Sequence, residues 1–135
     1  MLKEIGGLLG NIVLILFLLA LLNYVVKYIN RNYRKQLMKN EAGYQLFTKV
    51  MRFTVKNHKY FGLTVIIFLL LHFAVQMNLY GINITGAIAA VIMLVQIGLG
   101  YYGTRAKNKG KTWLKAHRLI AVLLSISVLT HLAFG

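Results

Sequence analysis

The sequence contains four histidines, and they form two pairs with the same spacing. His58 and His72 are fourteen residues apart, and so are His117 and His131. The first pair lies in the apolar stretch NHKYFGLTVIIFLLLHFAVQM, and the second in KAHRLIAVLLSISVLTHLAFG. In an α-helix, fourteen residues advance the chain by about 21 Å and complete nearly four turns. Both rings of a pair therefore point from one helix face at two depths, and two such helices side by side would present two facing pairs of imidazoles.

Two imidazoles that face each other in an apolar bundle suit haem, because a haem iron needs only two axial ligands from the protein. A zinc or copper ion would need further ligands, and two neutral imidazoles leave its coordination shell incomplete. A proton relay usually includes carboxylates, and no Asp or Glu follows Glu41. Histidines that only pack helices are the remaining alternative, which two matched pairs disfavour. We therefore predict two haem b groups, with axial ligands His58 and His117 for one and His72 and His131 for the other.

Composition and charge place the chain in a membrane. At 135 residues it forms a single domain, residues 1–135, and 59% of its residues are hydrophobic. The absence of cysteine excludes thioether-linked haem, cysteine-ligated iron–sulfur clusters and disulfides. Sixteen Lys and Arg residues stand against two acidic residues, but the basic residues cluster between apolar segments. That is the positive-inside pattern of a membrane protein, and it argues against nucleic-acid binding.

The apolar segments predict four membrane spans, at about residues 5–28, 57–78, 84–103 and 112–134. The first is too long for a signal peptide and has no small-residue cleavage site after it. The two basic connections lie on one side, which predicts a cytoplasmic location for them and an outside location for both termini. Asn83-Ile-Thr85 matches a glycosylation acceptor, a pattern that is common by chance. The predicted fold is an all-α, multi-pass four-helix bundle of a bacterial plasma membrane.

Residues 43–56 alternate polar and apolar side chains at helical spacing, which predicts an amphipathic helix in the membrane interface between spans one and two. A docking surface for a partner is the alternative use of this segment. Its polar face carries Gln45, Thr48, Lys49, Arg52 and Lys56, and its apolar face carries Leu46, Phe47, Val50, Met51 and Phe53.

Further residues are candidates for the surroundings of the haems. Gly86 and Gly100 are also fourteen residues apart, so in an antiparallel third span they fall at the outer and inner histidine depths; close helix packing is the alternative. Gly62 follows His58 by one helical turn, and its lack of a side chain leaves space for a haem beside that histidine. The polar candidates are Ser127, which could orient His131 or bond to its own helix, and Lys59, Lys115 and Arg118, which could meet haem propionates or only anchor the topology.

These residues resemble the dihaem membrane b-type cytochromes over residues 57–134. The pattern is similar to the four-helix haem-binding part of cytochrome b and to the transmembrane part of ferric reductases and NADPH oxidases. The resemblance implies two low-spin haems with two histidine ligands each, passing electrons across the membrane. The chain departs from it because Gly6, Gly7 and Gly10 have no inner counterpart in the first span. A quinol-oxidation loop and the nucleotide and flavin domains of the oxidases are also missing.

The expected function is transmembrane electron transfer from a cytoplasmic-side or quinone donor to an acceptor on the outer face. A small quinone-linked oxidoreductase that acts on superoxide, ascorbate or ferric iron without a partner protein is the alternative, so whether the chain is itself an enzyme stays open. A haem-free membrane anchor or a metal transporter is a third possibility. The expected partners are membrane lipid, a redox protein or quinone, and either further copies of the chain or a larger redox complex.

Overall fold

The computed structural model describes residues 1–107 and 110–135, and these form four α-helices with no β-strand. The helices are α1 (Leu2–Leu37), α2 (Glu41–Tyr80), α3 (Ile84–Arg105) and α4 (Lys111–Phe134). Lys109, one of the basic residues of the last connection, lies outside the described residues. Each of the four helices contains a segment that is long and apolar enough to cross a membrane. The predicted all-α class and the four candidate spans of a multi-pass membrane protein are therefore confirmed.

The first two helices are much longer than a bilayer requires. α1 has 36 residues and α2 has 40, which correspond to about 54 and 60 Å, whereas the hydrocarbon core is about 30 Å thick. The segment 43–56 is helical, but it is the first part of α2 and not a separate interfacial element. The chain contains neither glycine nor proline between Tyr44 and Phe61, so nothing breaks the helix where a turn was expected.

Short, capped turns join α1 to α2 and α2 to α3. The side chain of Asn40 accepts a hydrogen bond from the Gly43 backbone N–H (3.1 Å) and so caps the start of α2. Gly81 ends α2 with a positive φ of 76°, a conformation that glycine adopts without strain. The side chain of Asn83 then caps α3 by accepting from the Gly86 N–H (3.0 Å). These caps allow one helix to follow another within three residues.

The helices divide into two compact units, residues 1–10 with 66–135 and residues 11–65. The first unit contains α3, α4 and three of the histidines, and the second contains most of α1, the first part of α2 and His58. Large apolar side chains are widely exposed in the first unit, for example Val91 (60%) and Leu129 (66%). Surfaces of this kind suit a lipid environment, because lipid tails remove the cost that apolar side chains incur in water.

Candidate functional site

A chain of two side-chain contacts orients His131. Its Nδ1 lies 3.1 Å from Oγ1 of Thr85, and that hydroxyl lies 2.7 Å from Oδ1 of Asn83. The Asn83 oxygen can only accept, so the Thr85 hydroxyl donates to it and its own oxygen accepts from the histidine. Nδ1 of His131 therefore carries the proton. Nε2 keeps its lone pair, which is the form of imidazole that binds a metal.

The ring of His131 lies directly against Gly86 on α3. A Cβ atom at position 86 would stand 3.0 Å from Cε1 of the ring and 3.4 Å from Nδ1. A carbon that close would push the ring away, because cores are packed too tightly to absorb the overlap freely. The Thr85–Gly86 pair at the start of α3 thus sets both the orientation and the position of the histidine.

His72 on α2 is held in the same way by the start of α1. Its Nδ1 lies 3.0 Å from the carbonyl oxygen of Gly6, and a Cβ atom at Gly10 would stand 2.9 Å from its Cε1. Because a carbonyl oxygen only accepts, Nδ1 again carries the proton and Nε2 keeps its lone pair. His131 also lies in the first unit. This unit therefore contains both histidines that were predicted to form the outer pair.

His117, near the start of α4, has different surroundings. Its Nε2 lies 3.3 Å from the side-chain nitrogen of Gln96 on α3. The ring of Trp113 stacks on the His117 ring, with centroids 5.6 Å apart and an interplanar angle of 17°. The indole N–H donates to the carbonyl of Leu99 (2.8 Å), and its ring lies tightly on Gly103. Gly100 also faces this histidine, but a Cβ atom there would be 3.6 Å from Cε1, an ordinary contact distance.

His58 lies in the second unit, where its ring lies close to the backbone of Ala20. Ala20 comes fourteen residues after Gly6, whose carbonyl accepts from His72. The backbone of α1 therefore lies close to each histidine of α2, at the histidines' own spacing. The inner counterpart of Gly6 is an alanine, because the approach is through the backbone. The pairing of His58 with His117 joins the two units and stays a prediction.

The remaining candidates are less engaged with the histidines. Apart from the neighbouring residues and backbone of its own helix, no described atom would lie within 4 Å of a Cβ at Gly62, so space is open beside it. Ser127 makes no hydrogen bond to His131 among the described residues, and the hydroxyl that does so belongs to Thr85. The ammonium group of Lys59 lies over the Tyr60 ring, 4.8 Å from its centroid. Lys115 and Arg118 are exposed, which leaves the predicted propionate role open for all three cations.

Sequence reasoning missed three side chains that contact the histidines. Trp113 precedes His117 by four residues, the spacing that places two side chains on one helix face, so this contact had a signal. Thr85 was hidden in the apparent glycosylation pattern, which the structure explains as a cap and a histidine contact. Gln96 carried no signal, because its contact depends on how α3 is rotated against α4.

The donor chemistry of the outer pair fits haem. Histidines that bind metals commonly donate their second ring N–H to a carbonyl or another acceptor, which fixes the ring and the tautomer. His72 and His131 both do so, and a glycine beside each ring leaves room where a side chain would stand. The described residues contain no cluster of three or more His, Cys, Asp or Glu that could hold a bare metal ion.

Comparison of the chain with protein-family models, curated proteins and solved structures finds no match. The four histidines and the groups that surround them are therefore the features that point to a function.

Proposed function

We propose that the chain is a b-type cytochrome that carries two haems, each with two histidine ligands, and passes electrons across a membrane. The observation that supports this most directly is the shared arrangement of His72 and His131. Each ring donates through Nδ1 to a group on a neighbouring helix and rests against a glycine, which leaves Nε2 for iron. Packing alone would not require the same nitrogen to be used at both positions.

The chain's own groups have defined tasks in this function. The Gly6 carbonyl and the Thr85 hydroxyl hold the outer rings in one tautomer and one orientation, so that little rearrangement accompanies ligation. Gly10 and Gly86 keep carbon atoms away from the rings. Bound haem would supply reversible one-electron chemistry, with a potential set by its axial ligands and by burial.

The proposed orientation follows from charge. The two basic connections lie on the cytoplasmic side and both termini lie outside, in a bacterial plasma membrane. His58 and His117 then lie near the cytoplasmic surface, and His72 and His131 lie nearer the outer one. Electrons would move between a cytoplasmic-side or quinone donor and an acceptor on the outer face.

A reduced-minus-oxidised visible spectrum with haem quantitation tests the proposal on purified protein. We expect two b-type haems per chain in the wild type. His72→Ala and His131→Ala should lose the same haem, and His58→Ala and His117→Ala should lose the other. Ser127→Ala, which removes a hydroxyl from the same helix without touching a ring, should keep both. A wild-type protein without haem, or one haem lost equally in all four histidine variants, would refute the proposal.

A further inference from the structure

The first two helices continue well beyond the level of His58. Ala20 on α1 and His58 on α2 are in contact, which marks one level of the second unit. From there α1 continues for seventeen residues to Leu37, and α2 begins seventeen residues earlier, at Glu41. At 1.5 Å per residue, both helices extend about 25 Å past this contact. We call residues 27–56 the basic hairpin.

The basic hairpin is a packed and strongly charged element. Val26, just before the hairpin, and Thr54, near its end, are almost fully buried, and Asn40 caps the turn at its tip. It carries a single acidic residue, Glu41, against eight basic ones. The basic residues are Lys27, Arg31, Arg34, Lys35, Lys39, Lys49, Arg52 and Lys56.

A row of exposed apolar side chains runs along the α2 part of the hairpin. Leu46 (64% exposed), Val50 (39%) and Phe53 (56%) follow one another at spacings of four and three residues, so they lie on one helix face. We call these three residues the apolar stripe. Lys49 and Arg52 occupy positions adjacent to it and are also exposed. Contiguous exposed apolar surface with a charged rim is typical of protein interaction sites.

Lipid does not account for the stripe. α2 has no break between the stripe and the apolar span, so the stripe continues along the axis of a helix that crosses the membrane. Val50 and Leu46 precede His58 by eight and twelve residues, or about 12 and 18 Å, whereas each headgroup layer is only about 5–8 Å thick. Phe53, five residues before His58, is the one residue of the stripe that the headgroup layer can reach. A second copy of the chain does not account for it either, because two hairpins of the same strong positive charge repel each other.

We infer that the basic hairpin is the docking surface for a soluble protein with an acidic rim around an apolar patch. The patch would cover the apolar stripe, and the acidic rim would pair with the surrounding lysines and arginines. The inference rests on the proposed function only in one respect: the partner would be the electron donor on the side of the inner histidines. The surface itself follows from helix continuity, exposure and charge.

The absence of cysteine in the natural sequence allows a direct test, because Leu46→Cys provides one labelling site. The Leu46→Cys protein, otherwise unchanged, would be placed in nanodiscs of neutral lipid and labelled at this cysteine with an environment-sensitive fluorophore. We expect a water-soluble quencher to reach the label, and a small acidic flavodoxin, used as the probe, to protect it. Protection should weaken steeply as the salt concentration rises. A label that only a lipid-borne quencher reaches would show that the stripe lies in the membrane, and would overturn the inference.

Charge reversal completes the test. In the labelled protein, Lys49→Glu with Arg52→Glu should weaken flavodoxin binding by about tenfold or more, mainly through slower association. Lys3→Glu, a charge reversal near the N-terminus, should leave binding unchanged. No binding of the probe, or equal loss in both variants, would contradict the docking surface. These outcomes do not depend on haem content. The docking surface can therefore be supported when the visible spectrum refutes the haem proposal, and the reverse is also possible.

Discussion

The two ends of the α3–α4 pair repeat one arrangement in sequence and differ in chemistry. At each end a histidine of α4 faces a glycine of α3, and both the histidines and the glycines are fourteen residues apart. At the His131 end the ring is held through Nδ1 by Thr85. At the His117 end the contact with Gln96 is made through Nε2. The same spacing therefore supports two different states of the nitrogen that iron would use.

The difference shows that the spacing of ligands and their readiness to bind are separate properties. Nε2 of His131 is open to a ligand because the other nitrogen makes the hydrogen bond. At His117 a ligand must first displace Gln96, which costs about 0.5–1.5 kcal/mol for the lost hydrogen bond. The side-chain carbonyl oxygen of Gln96 is buried without a hydrogen-bond partner among the described residues. No hydrogen bond of this oxygen is therefore lost when the side chain is displaced. We expect the outer site to be the better organised of the two.

Replacing Thr85 with valine should have the largest effect on this contrast. The change keeps the shape of the side chain but removes the group that fixes Nδ1 of His131. Losing such a partner typically lowers metal affinity by about 10- to 100-fold. Haem titration of the apo-protein, in a His117→Ala background that leaves only the outer site, measures it. Thr85→Ser keeps the hydroxyl and should bind as the parent does; equal loss in both variants would mean that Thr85 acts through packing.

Alanine substitutions at Gly86 and Gly100 should affect the two ends differently, because the added Cβ lies at different distances from the two histidine rings. At Gly86 the added carbon would press against the His131 ring, and an overpacking cost near the lower end of about 1–3 kcal/mol corresponds to roughly a tenfold loss of outer haem affinity. At Gly100 the added carbon has room, so the inner haem should bind nearly as before. Gly98→Ala, on the same helix with nothing near its Cβ, controls for the change in helix propensity. Equal losses at Gly86 and Gly100 would remove the contrast.

Much of this arrangement could be predicted because it depends on helix periodicity. Four apolar segments specify four helices, and the fourteen-residue spacing places Gly86 beside His131 and Gly100 beside His117 once α3 is taken as antiparallel to α4. The boundary at residue 56 was predicted wrongly, because amphipathic patterning indicates which environment a face meets and not whether the helix stops there.

The groups that distinguish the two histidines could not be predicted in the same way. A threonine and a glutamine on α3 contact a ring only for certain rotations of that helix, and single-sequence periodicity does not define rotation to that accuracy. The Ala20 contact was hidden for another reason. A backbone is present at every residue, so residue type gives no sign of which one a histidine will approach.

Replacing Gln96 with leucine should change the inner site in the favourable direction. The variant removes the donor that covers Nε2 of His117 and keeps a side chain of similar size. If displacing that donor costs about 0.5–1.5 kcal/mol, haem should bind roughly two- to tenfold more tightly at the inner site. Haem titration of the apo-protein in a His131→Ala background, which leaves only the inner site, measures this affinity. Gln76→Leu, the matching change on α2, should have no such effect, and weaker binding in Gln96→Leu would show that the amide supports the site.

The smallest expected effect belongs to Trp113→Phe, which distinguishes the two ways in which this side chain could hold His117. Phenylalanine keeps an aromatic ring to stack on the histidine but loses the N–H that donates to Leu99. The Leu99 carbonyl can still accept a hydrogen bond from its own helix. We therefore expect the lost indole bond to cost about 0.5 kcal/mol, the lower end of the usual range. Inner haem affinity should therefore fall by about twofold or less, and by more in Trp113→Leu, where the stacking is also lost. A tenfold loss in the phenylalanine variant would mean that the hydrogen bond positions His117, and not the stacked ring.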